Sequence, residues 1–161
     1  MFNFTHLSKS DLPLIRKWLV QPHVAKWFND ENEWMKEISA NLESNWVWYF
    51  RADLNLKPAG FVQCYSTYRA PEGSWSSQPP ATLGIDFFLG ESSLLGKGNG
   101  VKLLNDFIEF IEMRFSPKRL IVDPDIENTK SQRTIERCGF ELDEESGLFV
   151  KELKRAPNKA S

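Results

Sequence analysis

Two stretches hold the residues best suited to chemistry. In LLGKGNG, residues 94–100, three glycines alternate with Lys97 and Asn99, just after an apolar run and just before a helical pattern. A backbone without Cβ atoms lets a ligand approach closely. The first N–H groups of the next helix lack internal partners, and the helix dipole adds partial positive charge there. Together these make a cradle for a pyrophosphate, with Lys97 adding a charge nearby. Two common nucleotide motifs are excluded. Gly98 follows Lys97 where a Walker A loop needs Ser or Thr, and Val101 stands where GxGxxG needs its last glycine.

The second stretch is GIDFFL, in which Asp86 sits among Ile85, Phe87 and Phe88. An unpaired charge in such a strand is costly. Burial favours a raised pKa, which suits a base. Asp123 and Asp125 follow the apolar run LIV, close to Asn128.

The elements that position these residues follow from periodicity. FNFTHL alternates as a strand, and SKSDLPLIRKWLV reads as a helix capped by Ser10 or Asp11 and ended by Pro22. ENEWMKEISANLES is a second helix. NWVWYFRA and PAGFVQCYS are strands joined by a turn, and TLGIDFFLG is a central, strongly apolar strand. Residues 68–81, rich in Pro, Ser and Gly, form a long loop of the kind that often carries function. VKLLNDFIEFIEMRF repeats Leu104, Phe107, Ile108, Ile111 and Phe115 at helical spacing. KRLIVDPD is a strand, Asn128 opens a helix that Gly139 ends, and a hairpin turns at Ser146-Gly147. The order β-α-α-β-β-β-α-β-α-β-β points to an α+β fold with a mixed sheet.

The 161 residues fit one domain over residues 1–153, with a polar tail over 154–161. A net charge of −2 argues against a nucleic-acid binder that relies on bulk positive charge. Cys64 and Cys138 have no metal or CxxC spacing and read as buried, reduced thiols. No metal site is expected. The start lacks a signal-peptide pattern and no run is long enough for a membrane span, so a cytoplasmic protein without membrane contact is expected.

LLGKGNGVKLL resembles the acetyl-CoA loop of the GCN5-related N-acetyltransferases (GNAT), whose pattern is Gln/Arg-x-x-Gly-x-Gly/Ala. Gly98 and Gly100 match, and Leu95 replaces the Gln or Arg. DPDIENTKSQRTIERCGF resembles the family's later segment, with Asn128 and Gly139-Phe140 matching. Ile135 stands where the family often has a Tyr that protonates the departing thiolate. QPHVAKWF, GID, LGKGNG and DPDIEN, in register from Gln21 to Phe140, resemble the aminoglycoside 6′-N-acetyltransferase branch.

The resemblance implies a GNAT fold with a largely antiparallel sheet and a splayed strand pair that binds acetyl-CoA. It implies cofactor contacts from Phe88, Leu89, Leu95, Gly96, Lys97, Gly98, Asn99, Gly100, Val101 and Asn128. It makes Asp86 the catalytic base and gives Trp27, Asp86 and Asp123 to the substrate; Glu72, an acid in the long loop, is read from its charge as a further substrate contact. His23 and His6 read as structural. The expected activity is acetyl transfer to a primary amine of a small molecule, an aminoglycoside 6′-amine above all, and with it antibiotic resistance. A homodimer is compatible with the fold. Siderophore-type hydroxylysine and protein N-termini are alternative acceptors, and a non-catalytic acetyl-CoA sensor is the alternative of another class. From Ala70 to Gly90 there are two acids, Glu72 and Asp86, and no Lys or Arg, which suits an amine.

Overall fold

The computed structural model describes residues 1–153, so the tail expected over 154–161 lies outside the described residues. Seven strands form one sheet in the order β1-β2-β3-β4-β5-β7-β6. They are β1 (Phe2–His6), β2 (Val47–Leu54), β3 (Lys57–Ser66), β4 (Thr82–Leu89), β5 (Arg119–Val122), β6 (Glu141–Asp143) and β7 (Leu148–Glu152). All neighbours are antiparallel except β4 and β5, so the fold is a mixed, largely antiparallel α+β fold.

Helices cover both faces. On one face α1 (Leu12–Leu19), α2 (Pro22–Ala25) and α3 (Glu31–Ala40) bury Ile15, Trp18, Val24, Met35 and Ile38 against Tyr49, Phe61, Tyr65 and Phe88. On the other, α4 (Asn99–Phe115) and α5 (Thr129–Arg137) bury Leu104, Phe107, Ile111 and Ile135 against Phe50, Val62, Cys64 and Ile85. Leu103 is fully buried beside the stripe expected on α4.

Two local readings change. Pro22 does not merely end α1. It opens α2, because a missing N–H costs nothing in a first helical turn. Asp11 does not cap α1 with its side chain. Its carboxylate accepts from the Ser8 N–H and from Arg51 Nη1, so it ties the first loop to β2. Cys64 and Cys138 are buried and free.

The sheet splits at one place. β4 pairs with β5 only from Thr82↔Arg119 to Gly84↔Ile121. β4 then runs on to Leu89, while β5 ends at Val122. Among the described residues no helix is long and apolar enough to cross a membrane.

Candidate active site

The site begins with the alternation of β4. Leu83, Ile85, Phe87 and Leu89 face α4 and α5, whereas Phe88 packs with the α1–α3 cluster. Asp86 shares the Phe88 side. In register it stands opposite Gln63 of β3, which stands opposite Tyr49 of β2. Continuing the Gly84↔Ile121 register by two residues sets Asp86 level with Asp123, where β4 and β5 part. One row is thus Tyr49, Gln63 and Asp86 on three strands, with Asp123 just past the end of β5.

Gln63 Nε2 donates to Asp86 Oδ2 at 2.9 Å. Burial pushes the Asp86 pKa up to about 6; the Gln63 hydrogen bond opposes this, and Asp123 and Glu37 add to it. Burial also raises the Tyr49 and Tyr65 phenols, helped by Glu37 and Asp86 at Tyr49 and by Asp86 and Asp123 at Tyr65. Burial raises Asp123, and a long 3.4 Å hydrogen bond from Ser74 Oγ opposes it. A carboxylate poised near neutrality, with further acids around it, can hold an ammonium group and take its proton.

The split exposes backbone. Ladder bonds at Thr67–Thr82 and Ala59–Gly90 fix the alternation in β4. Even-numbered residues bond β3, and odd-numbered ones turn toward β5. From Phe87 onward β5 offers the odd-numbered groups no partner. Leu89 therefore aims its N–H into the split, and its carbonyl meets His23 Nε2 at 2.9 Å. The expectation for Phe88 needs correction. Its backbone is turned to Phe61 of β3 and its ring is buried, so the amides that face the split are those of Phe87 and Leu89.

The glycine turn lies between the split and α4. Gly96 and Gly98 have φ of +74° and +77°, and a Cβ on either would meet nothing within 4 Å. Backbone conformation favours glycine at both, and open space lies beside them. Gly98 caps α4, whose first N–H groups, from Asn99 to Val101, carry the dipole's positive end. Asn99 Nδ2 braces the turn by donating to the Leu94 carbonyl at 2.9 Å. Leu95 and Lys97 are exposed. Asn128 caps α5, its side chain accepting from the Ser131 N–H at 3.1 Å. Positive-φ glycines, an open surface, a free helix start and strand amides that β5 does not pair fit an extended ligand with a pyrophosphate.

A cavity of about 710 Å³ brings Trp27 and Asp123 together with Asp125, Ile126, Glu144 and Phe149. Lys26 Nζ lies 4.9 Å from the Trp27 ring centroid. Glu72 is exposed on the 67–81 loop and is not among the residues lining this cavity. The loop reaches the site through other residues: Trp75 packs edge-on against Tyr65 at 5.4 Å, and Ser74 reaches Asp123. Ile135 is fully buried in the core.

Gln63, Tyr65 and Glu37 escaped the reading of the sequence. A signal existed for Gln63, a lone amide in the apolar run FVQCY of β3. Glu37 carried none, being one of several acids on an exposed helix face.

Comparison with known proteins agrees with this geometry. The model of the acetyltransferase (GNAT) domain matches residues 8–148. The aminoglycoside N(6′)-acetyltransferase type 1 of Klebsiella pneumoniae is 28% identical over 145 residues, which cover 84% of this chain and 71% of the relative. The lysine N-acyltransferase MbtK of Mycobacterium tuberculosis is 24% identical over 136 residues, covering 81% and 64%. The crystal structure of the aminoglycoside acetyltransferase AAC(6′)-Ib with coenzyme A aligns with a TM-score of 0.84 at 26% identity, over 94% of this chain and 95% of that one. Its complex with coenzyme A and kanamycin aligns with a TM-score of 0.82 at 25% identity, over 94% and 95%.

Proposed function

The chain belongs to the acetyltransferase (GNAT) domain family, and on that premise we propose that it moves an acetyl group from acetyl-CoA to a primary amine, with an aminoglycoside 6′-amine as acceptor. The observation that carries this reading is Asp86, a carboxylate with its pKa near 6 at the point where β4 leaves β5. The likeness to AAC(6′)-Ib, solved with coenzyme A and kanamycin, supports both the cofactor and the acceptor class.

Acetyl-CoA supplies the acetyl thioester. The backbone N–H groups from Gly96 to Val101 hold its pyrophosphate, with Lys97 alongside. The Leu89 N–H, aimed into the split, is the donor for its pantetheine arm, and Asn128 borders that arm from the start of α5. Asp86, ionised above pH 6, draws the acceptor's ammonium into the row and takes one proton from it. Asp123 adds negative potential, and Trp27 offers an aromatic face to the acceptor's rings. Ile135 has no proton to give, so the departing thiolate draws its proton from solvent. Under the same reading the enzyme works in the cytoplasm, and light scattering on purified protein reads whether it forms a homodimer.

A second acceptor is favoured by one observation. The 67–81 loop holds a single acid, Glu72, away from the cavity that Trp27 and Asp123 line. A polycationic sugar finds few partners there, whereas a lysine-type amine needs few. The likeness to the lysine N-acyltransferase points the same way. Thiol release from acetyl-CoA, measured with kanamycin, tobramycin and lysine-type amines, tests both acceptors. Fast release with the aminoglycosides, lost in Asp86→Asn, supports the first reading. Release only with lysine-type amines replaces it with the second. Acetyl-CoA binding without release on any amine would falsify catalysis and leave a sensor.

A further inference from the structure

Gln63 is the polar residue that interrupts β3. Its side chain is buried, with the residue 7% exposed. Its Nε2 donates to Asp86 Oδ2 at 2.9 Å, and its Oε1 is buried with no hydrogen-bond partner among the described residues. An orphan buried carbonyl is unfavourable, and an apolar residue at this position would avoid it. The hydrogen bond to Asp86 is the one the side chain makes, so the reason for the amide lies there. Its orientation is dictated as well. An ionised carboxylate is acceptor-only, so the amide must present its nitrogen.

We infer that Gln63 is a positioning residue that occupies Asp86 Oδ2 and thereby makes Oδ1 the oxygen that takes the acceptor's proton. The inference rests on the reading of Asp86 as the proton acceptor. In that step an N–H bond of the acceptor's ammonium breaks and its electron pair stays on nitrogen. The proton bonds to Oδ1, and the carboxylate becomes a neutral acid. Oδ2 still accepts from Nε2 before and after transfer, so the contact guides the proton without having to break.

The groups facing Asp86 sharpen the need for this donor. Asp123, just past the end of β5, and Glu37 of α3 favour the protonated acid. Tyr49 of β2 and Tyr65 of β3 border the same carboxylate, and burial keeps both phenols neutral. Gln63 is the neighbour that favours the ionised form.

The test is the pH profile of kcat/KM for the wild type, Gln63→Met and Gln63→Glu, with Gln63→Met also placed on Asp86→Asn. Gln63→Met keeps the volume and loses the donor. Its acid limb moves upward, so its rate is about tenfold lower at pH 6 and within about threefold of wild type at pH 8.5. Gln63→Glu brings a like charge and moves the limb the same way, which serves if the Met variant does not fold. On Asp86→Asn the Met substitution changes nothing further. Unchanged acetyl-CoA affinity accompanies these results. An equal loss at every pH, or a further loss on Asp86→Asn, overturns the inference while leaving Asp86 as the base. Full activity of Asp86→Asn overturns the reading of Asp86 and this inference with it.

Discussion

The ring of Tyr65 lies across Gly84, so that a Cβ on residue 84 would sit 2.1 Å from the Tyr65 Cζ and 2.4 Å from its hydroxyl oxygen. Residues 65 and 84 are opposite in register, and Gly84 is the last residue of β4 that pairs with β5. The glycine thus seats an aromatic ring beside the split, where the phenol borders both Asp86 and Asp123. Gly84→Ala must displace that ring. It costs about 1–3 kcal/mol of stability, the usual range for overpacking. In a Tyr65→Leu background the same substitution costs less, because the clashing ring is gone. Urea unfolding of the four proteins reads this non-additivity, and strictly additive losses would place the cost elsewhere.

Asp86 couples function to stability with a defined sign. Its folded pKa of about 6 lies above the ordinary aspartate value of 3.8. Between those values the folded state binds more protons than the unfolded state. The stabilisation is fully present below pH 4 and is lost as pH rises through 6. Asp86→Asn removes that slope. At pH 8 the variant is more stable than wild type by about 1–3 kcal/mol, and near pH 4 the two converge. The same variant loses acetyl transfer. Unfolding measured across this pH range, with parallel curves for the two proteins, would show that the carboxylate is not strained by burial.

The three glycines of the turn do different work, and substitution separates them. Gly96→Ala and Gly98→Ala force a Cβ onto left-handed backbone, at about 1–2 kcal/mol each, although no neighbour crowds either position. At Gly100 a Cβ meets Thr134 at 3.6 Å, an ordinary contact, on helical backbone. Gly100→Ala therefore keeps or raises the unfolding temperature, since alanine favours a helix. If the turn cradles a pyrophosphate, all three variants bind acetyl-CoA more weakly by calorimetry. A Gly100→Ala protein with full affinity places the ligand away from the first turn of α4.

Much of this architecture was legible because it rests on local rules. The glycine turn, the stripe of α4, the Asn128 cap and the apolar β4 each follow from residue type and spacing. Phe88 was misassigned because a sequence shows that a strand alternates but not which set of amides the partner strand has taken. Only the ladder parity, fixed by the bonds at Thr82 and Gly90, decides it. Pro22 was misread because a proline that ends one helix equally begins the next. The Tyr49–Gln63–Asp86–Asp123 row was invisible because cross-strand neighbours depend on register, which distant turns set.

Glu37 makes the last distinction. It lies on α3, far from Asp86 in sequence, yet its charge raises the Asp86 pKa, less than Asp123 does. Removing a nearby negative charge favours the ionised carboxylate. Glu37→Gln therefore shifts the acid limb of kcat/KM to lower pH by a few tenths of a unit, and Asp123→Asn shifts it further. This direction is opposite to that of Gln63→Met, so the three variants bracket the wild type. Glu37→Gln also weakens the attraction for a polycation. KM for kanamycin rises by about twofold to fivefold at low salt, and the difference shrinks at high salt. A monoamine acceptor loses less, because one charge feels the change in potential once. A limb that moves upward in Glu37→Gln would mean that the helix acts on Asp86 through packing, since removing a negative charge cannot raise the pKa of a neighbouring acid.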